Sequence, residues 1–334
     1  MSEFAFELEL CAHLEQRADG IVARQLGGSV ADPGGRILDV VRVEPGPEFD
    51  DRIELTGETI PDAAIESAVG TGRARYWKAA FDCHPERARS ATERALEIGF
   101  FERDREASAA SNREYVRQVA RYPDWYDRIV GIENKPDLGR PGDLEAQLRT
   151  DVGLALVDEA ILATESYVTR AHLHRLPDAV GVWRVHRDEA AAGDGLEIEV
   201  IREPAPLAPD EPGIEPLTSH AGRTEIEVVS PDAKARARRR LAERAYGKGW
   251  RTYQFPDCEA CRPDGASGAT VPYCEWKDRV VDANSECGPD CPGHEPGSAA
   301  EMAVDLEAER DRRTAWEADP DGKRRRQAGL DRFG

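Results

Sequence analysis

Glu133 and Lys135, in the run Ile132-Glu133-Asn134-Lys135, place a carboxylate and an ammonium two residues apart at the end of an apolar stretch. On a strand, side chains two apart point the same way. Such a pair can serve phosphodiester hydrolysis. The carboxylate holds a divalent ion, and the lysine orients or deprotonates the attacking water and steadies the developing charge. The chain has only six lysines against thirty-nine arginines, so a lysine here is hard to ascribe to composition. A second metal carboxylate is required. Asp39, in Ile37-Leu38-Asp39-Val40-Val41, lies on the strand expected to pair with that of Glu133, while Asp124 and Asp127 are rivals closer in sequence. The alternatives stay open: Asp39 is a ligand or a turn-end carboxylate, and Glu-x-Lys is also the pattern of a surface ion pair.

A second set is the cysteines: Cys258-x-x-Cys261, then Cys274, then Cys287-x-x-x-Cys291. Two thiolates two or three residues apart hold one metal from a tight turn, and two such pairs supply the four sulfurs of tetrahedral zinc. His294 could replace one of them. The segment is rich in Gly, Pro and Asp, so a metal is needed to fold it, contributing on the order of 10 kcal/mol or more. Five free thiols in a loop is the alternative.

The elements that must position these residues follow from periodicity and punctuation. Residues 3–17 read as a helix with Phe4, Leu8, Cys11 and Leu14 on one face, and 36–44 as a strand ended by Pro45-Gly46-Pro47. Helices are expected at 61–69, 75–81 and 85–98, the last opened by His84-Pro85, followed by a strand at 100–103. Three short helices and then a hairpin is the outline of a winged helix. Strands at 115–119 and 127–135, a helix at 142–157, a strand at 159–165, a short helix at 168–175, and strands at 179–187 and 196–202 suggest an α/β sheet with a crossover. Residues 203–222 read as a linker, 224–230 as a strand and 232–246 as a basic helix. That helix could contact phosphates or simply balance an acidic surface. The stretch after 297 holds one polar helix and a tail with the run Lys323-Arg324-Arg325-Arg326 that reads as disordered.

In this order the chain resembles the PD-(D/E)XK nuclease superfamily, with its RecB-like and restriction-endonuclease-like core. A first helix with glutamates (Glu7, Glu9 or Glu15), a strand with Asp39, a strand with Glu133 and Lys135, and a helix with Gln147 match its pattern over roughly residues 3–44 and 113–187. RecB-type members carry a tyrosine where this sequence has Asp151. The layout also resembles an uncharacterised family of halophile proteins. The resemblance implies a mixed sheet flanked by helices as a discontinuous core (1–50 and 113–205), with Asp39, Glu133, Lys135 and Gln147 as catalytic residues. Mg²⁺ or Mn²⁺ would sit at the carboxylates, and DNA would be the substrate. The winged-helix-like unit at 51–112 then stands as an insertion. The linker, strand and basic helix fill 206–255, the cysteine-rich metal-binding segment 256–296, and the polar helix and tail 297–334. Some relatives in that superfamily carry an iron–sulfur cluster with one cysteine before the core and three after it, which keeps Cys11 with Cys258, Cys261 and Cys274 as an alternative to zinc.

The formal charge of −20, with abundant acids and few lysines, is the composition of proteins that work in concentrated salt. It argues for no specific partner by itself. No signal-peptide pattern and no membrane-spanning apolar stretch is visible, and the cysteines read as ligands, so a soluble cytoplasmic protein is expected. Phosphate-loop and serine-hydrolase motifs are absent. Two other classes remain: a non-catalytic DNA-binding regulator, and a metal-stabilised interaction protein without a nucleic-acid role.

Overall fold

The computed structural model describes residues 2–17, 20–111, 113–187, 196–264, 270–297 and 304–323. Along the chain run α1 (Glu3–Arg17), β1 (Ile21–Gly27), β2 (Ile37–Pro45), α2 (Phe49–Ile53), α3 (Asp62–Glu66), β3 (Arg75–Tyr76), α4 (Pro85–Glu97), β4 (Phe101–Arg103), α5 (Arg105–Ser111) and β5 (Tyr115–Gln118). There follow β6 (Tyr126–Asn134), α6 (Leu144–Leu154), β7 (Glu159–Thr164), α7 (Arg170–Arg175), β8 (Gly181–Arg187), β9 (Leu196–Arg202), β10 (Gly213–His220) and β11 (Arg223–Val229). The last elements are α8 (Pro231–Lys248), β12 (Cys261–Asp264), β13 (Val271–Cys274), β14 (Arg279–Val280), α9 (Ala283–Glu286) and α10 (Leu306–Arg313). The chain divides into two compact units: 1–44 with 127–315, and 45–126 with 316–334.

The first unit is mixed α/β. Its six-stranded sheet has the order β1-β2-β6-β7-β8-β9. β6, β7 and β8 run parallel, which requires crossovers, and α6 and α7 supply them. β1 pairs antiparallel with β2, and β9 with β8, so both edges turn back. Phe6, Leu10, Cys11 and Leu14 of α1 share one core with Val22, Val40, Val130, Ile132, Ile161, Ala163 and Val185 of the sheet. The same core takes in Trp250 and Tyr253 and, from the C-terminal three-stranded sheet β12-β13-β14, Val271 and Val280. Helix α1 is therefore buried on every side from Ala5 to Glu15. Its polar residues need partners inside: Glu15 takes both guanidinium nitrogens of Arg251, at 2.7 and 2.5 Å, and the indole N–H of Trp250 at 3.0 Å.

The second unit has its own core of Leu55, Ile60, Ala64, Val69, Phe100, Phe101 and Val116. A small antiparallel sheet of order β3-β5-β4 lies beside α3 and α4. Trp316 returns to it, its indole donating to Gly57 O at 2.8 Å.

Several expectations are corrected. Residues 75–81 form no helix but β3 and a turn of 3-10 helix, because Arg75 and Tyr76 pair with Val116 and Tyr115. That pairing also places 113–126 in the second unit instead of the sheet core. The stretch 203–222 is not all linker: β10 occupies its second half and pairs with β11. β1 was not anticipated. The basic helix α8 turns two of its cations inward: Lys234 caps the carbonyls of Ala208 and Glu211, each at 2.9 Å, and Arg238 binds Leu156 O and Asp158. Arg324, Arg325 and Arg326 lie outside the described residues. No described helix is long and apolar enough to cross a membrane.

Candidate functional site

Asp39 and Glu133 stand on neighbouring strands near the middle of the large sheet. The backbone N–H of Asn134 donates to Asp39 Oδ2 at 3.0 Å, so the aspartate lies over the end of β6, next to Glu133. Both carboxylates are raised above their ordinary pKa. Burial is the main cause for each, and for Glu133 the charge of Asp39 adds to it against the pull of Arg36, taking Glu133 to about 7. Of the rivals, Asp127 is exposed at the far end of β6, and Asp124 belongs to the second unit.

Three elements complete the surroundings. From α1, Glu7 is buried and accepts the Gln25 amide at 2.7 Å and the guanidinium of Arg24. Burial raises its pKa against the pull of Arg24. From β1, Gln25 falls opposite Asp39 in the β1–β2 register but has a φ of 53°, a left-handed conformation rare for a residue with a side chain. The kink lets its amide reach Glu7 and lie 3.4 Å from Asp39 Oδ1, while its carbonyl takes the Lys248 ammonium at 2.8 Å. Ahead of β2, Arg36 donates to Glu133 Oε2 at 2.6 Å and to both oxygens of Asp151 at 2.9 and 2.7 Å. The loop before it is fixed by the buried carboxylate of Glu215 on β10, which accepts the backbone N–H groups of Val30 and Ala31 at 3.0 and 2.8 Å.

The remaining predicted residues are placed differently from expectation. Lys135 extends the β6–β7 pairing through its N–H to Ala163 O at 2.9 Å, but its ammonium pairs with exposed Glu3 of α1, not with Glu133. Gln147 is half-buried on α6, and the α6 residue that reaches the carboxylates is Asp151, one helical turn later, through Arg36. Of the helix glutamates, Glu7 belongs to the site, and Glu15 is bound to Arg251. Arg36, Gln25 and Asp151 were missed as site residues. The available signal was Asp151 on the same helix face as Gln147; nothing local marks Arg36.

Among the described residues, no group of three or more His, Cys, Asp or Glu side chains is arranged so that it could hold a metal ion as it stands. Magnesium does not need such a cage. It keeps several waters and binds through one or two carboxylates plus substrate phosphates. Asp39, half-buried, and Glu133, buried, have opposing charges and the donor chemistry for that mode.

In the C-terminal part of the first unit's chain, Cys258, Cys261 and Cys274 are buried in one cluster with Val281, and Cys287 packs against it. None of the seven cysteines forms a disulfide. Cys291 is half-buried outside the cluster. Cys11 lies in the sheet core, a different cluster.

A family model described as a family of unknown function, DUF5787, matches residues 21–296. The chain belongs to that family. The match takes in β1, both carboxylate strands, Asp151 and the five C-terminal cysteines, and begins after α1. No curated protein and no solved structure matches the chain.

Proposed function

We propose that the first unit is a divalent-metal-dependent nuclease core of the PD-(D/E)XK type that hydrolyses DNA phosphodiester bonds. The observation that carries this reading is the meeting of Asp39 and Glu133 on adjacent strands, with Glu7 of α1 joined to Asp39 through Gln25. Asp39 and Glu133 would hold Mg²⁺ or Mn²⁺. When bound, such an ion neutralises phosphate charge and lowers the pKa of a water. The chain's own residues do the rest. Gln25 fixes the direction of Asp39 and Glu7. Arg36 holds one oxygen of Glu133 and leaves the other, Oε1, for a ligand. Lys135, one residue past β6, exchanges its exposed partner Glu3 for the attacking water or the phosphate oxygen. From α6 it is Asp151, not Gln147, that steadies the strand end, through Arg36.

The test is cleavage of single- and double-stranded DNA at molar salt with Mg²⁺ or Mn²⁺, comparing the wild type with Asp39→Asn and Lys135→Ala. Loss of at least about a hundredfold in each variant is expected. Cleavage unchanged by Lys135→Ala would sink the mechanism.

A second reading is favoured by one observation: Arg36 already neutralises Glu133. It is a non-catalytic DNA-binding regulator in which the sheet is a scaffold and the second unit, with its β3-β5-β4 sheet beside α4, acts as a winged helix. Against it, Arg87, Arg89 and Arg94 of α4 are each paired to acids of their own unit. DNA retention without cleavage in the same assay would select this reading.

A further inference from the structure

We propose that Cys258, Cys261, Cys274 and Cys287 form one structural zinc site, and that Cys291 and Cys11 are not part of it. This goes beyond the nuclease reading and does not depend on it.

The backbone brings the four into one cluster from three directions, and their sulfurs must still close together to take the ion. Between Cys258 and Cys261 the chain turns tightly, the N–H of Cys261 donating to Cys258 O at 3.0 Å. A turn of that kind presents two thiols to one point. Cys261 opens β12 and faces Cys274 directly across the antiparallel pair with β13. A further bond, Glu275 N–H to Ala260 O at 2.8 Å, holds that end of the ladder closed. Cys287 comes in after α9 and packs on the other three.

The thiols are close enough to feel one another. Cys258, Cys261 and Cys274 share one buried cluster, and Cys287 packs against it. Cys291 is half-buried and does not pack in that cluster.

Apolar packing does not account for this cluster. Its only other fully buried member is Val281, while Val271 and Val280 of the same small sheet face the α1 core. A lobe with so small a centre needs another tie. Disulfides are not formed, although Cys261 and Cys274 are opposite in register. Four thiolates around Zn²⁺ leave a net charge of −2, and cations stand ready beside them. Lys277 lies near Cys287, and Arg279 near Cys274 and Cys287, both held in place by Glu286. On binding, each thiol gives up its proton to solvent and its sulfur pair to the metal. Four sulfurs fill a tetrahedral shell, so the site is closed to substrate and serves the fold.

The experiment is metal analysis of the full chain, purified under reducing conditions without a metal-affinity step. One zinc per chain is expected for the wild type and for Cys291→Ser and Cys11→Ala, with loss in Cys274→Ser and Cys287→Ser. Because those two variants can fail to fold, Co²⁺ is also titrated into the zinc-stripped wild type. The visible bands of a tetrahedral four-thiolate cobalt site should saturate at one equivalent. Iron with a broad visible absorption, zinc lost equally from Cys291→Ser, or a cobalt spectrum of lower sulfur count would each overturn the assignment.

Discussion

Replacing Arg36 by Met keeps a side chain of similar reach and removes the one charge that Glu133 and Asp151 share. Both acids are buried, with 6 % and 8 % of their surface exposed. Breaking a buried ion pair from one side costs about 3–5 kcal/mol, and here two carboxylates lose their cation, so the upper end of that range is expected near pH 8. The cost depends on pH. Glu133 titrates at about 7 in the folded chain against an ordinary 4.5. The folded state therefore binds its proton more tightly, and the stability contributed by this group is full below pH 4.5 and falls as pH rises through 7. Without Arg36 nothing restrains that rise, so the folded pKa climbs further and the fall extends to higher pH. Urea unfolding in EDTA should show a gap of about 4–5 kcal/mol between variant and wild type at pH 8, and a visibly smaller gap at pH 5.5. A double variant, Arg36→Met with Asp151→Leu, should recover part of the loss, since apolar replacement of a buried pair is often neutral or better. A gap below about 1 kcal/mol at pH 8, or one as large at pH 5.5, would refute the reasoning.

Other outcomes follow from the same geometry. Mg²⁺ should raise the melting temperature of the wild type more at pH 8 than at pH 5.5, because Asp39 and Glu133 must give up protons to bind it; equal shifts would count against the carboxylate pair as its site. Gln25→Ala should lower DNA cleavage by roughly tenfold with little change in melting temperature, since it frees Glu7 and Asp39 from a shared amide; intact cleavage would make Gln25 a bystander. Glu15→Ala should cost about 3–5 kcal/mol in urea unfolding, because it leaves Arg251 buried without its bidentate partner; a loss under about 1 kcal/mol would mean that water reaches the pair.

What could be read in the sequence was what local pattern encodes. Strand β6 announced itself by its apolar run, and α4 by His84-Pro85, where the His84 side chain does accept the Glu86 N–H at 3.3 Å. β1 escaped because Arg24 and Gln25 interrupt its apolar run, Arg24 buried against Glu7 and Gln25 exposed but bonded to it. β10 escaped because all but its base is exposed, so no alternation marks it. Residues 75–81 misled because a helical spacing was overridden by pairing with β5, forty residues on. Asp39 stood out as an acid between Leu38 and Val40, and Glu133 by its spacing to Lys135; the fold sets the two on adjacent strands. Arg36 offered no such contrast among thirty-nine arginines. Its role exists only where β2, β6 and α6 meet, and no window of sequence contains all three.

The thiol cluster and the carboxylates are tied together by α1. That helix shares one core with the large sheet and with Trp250, Tyr253, Val271 and Val280, the last two belonging to the small sheet that carries Cys261 and Cys274. Tyr253 donates to Thr270 O, just ahead of β13, at 2.5 Å. Glu7 and Glu3 ride on the same helix: Glu7 reaches Asp39 through Gln25, and Glu3 pairs with Lys135 just past β6. A helix buried all round cannot move without repacking one of its faces. The lobe's tie thus bears on where Glu7 stands relative to Asp39, although its sulfurs lie on a different part of the unit. On the proposed readings, a zinc-tied lobe would serve the carboxylates only by holding α1 still.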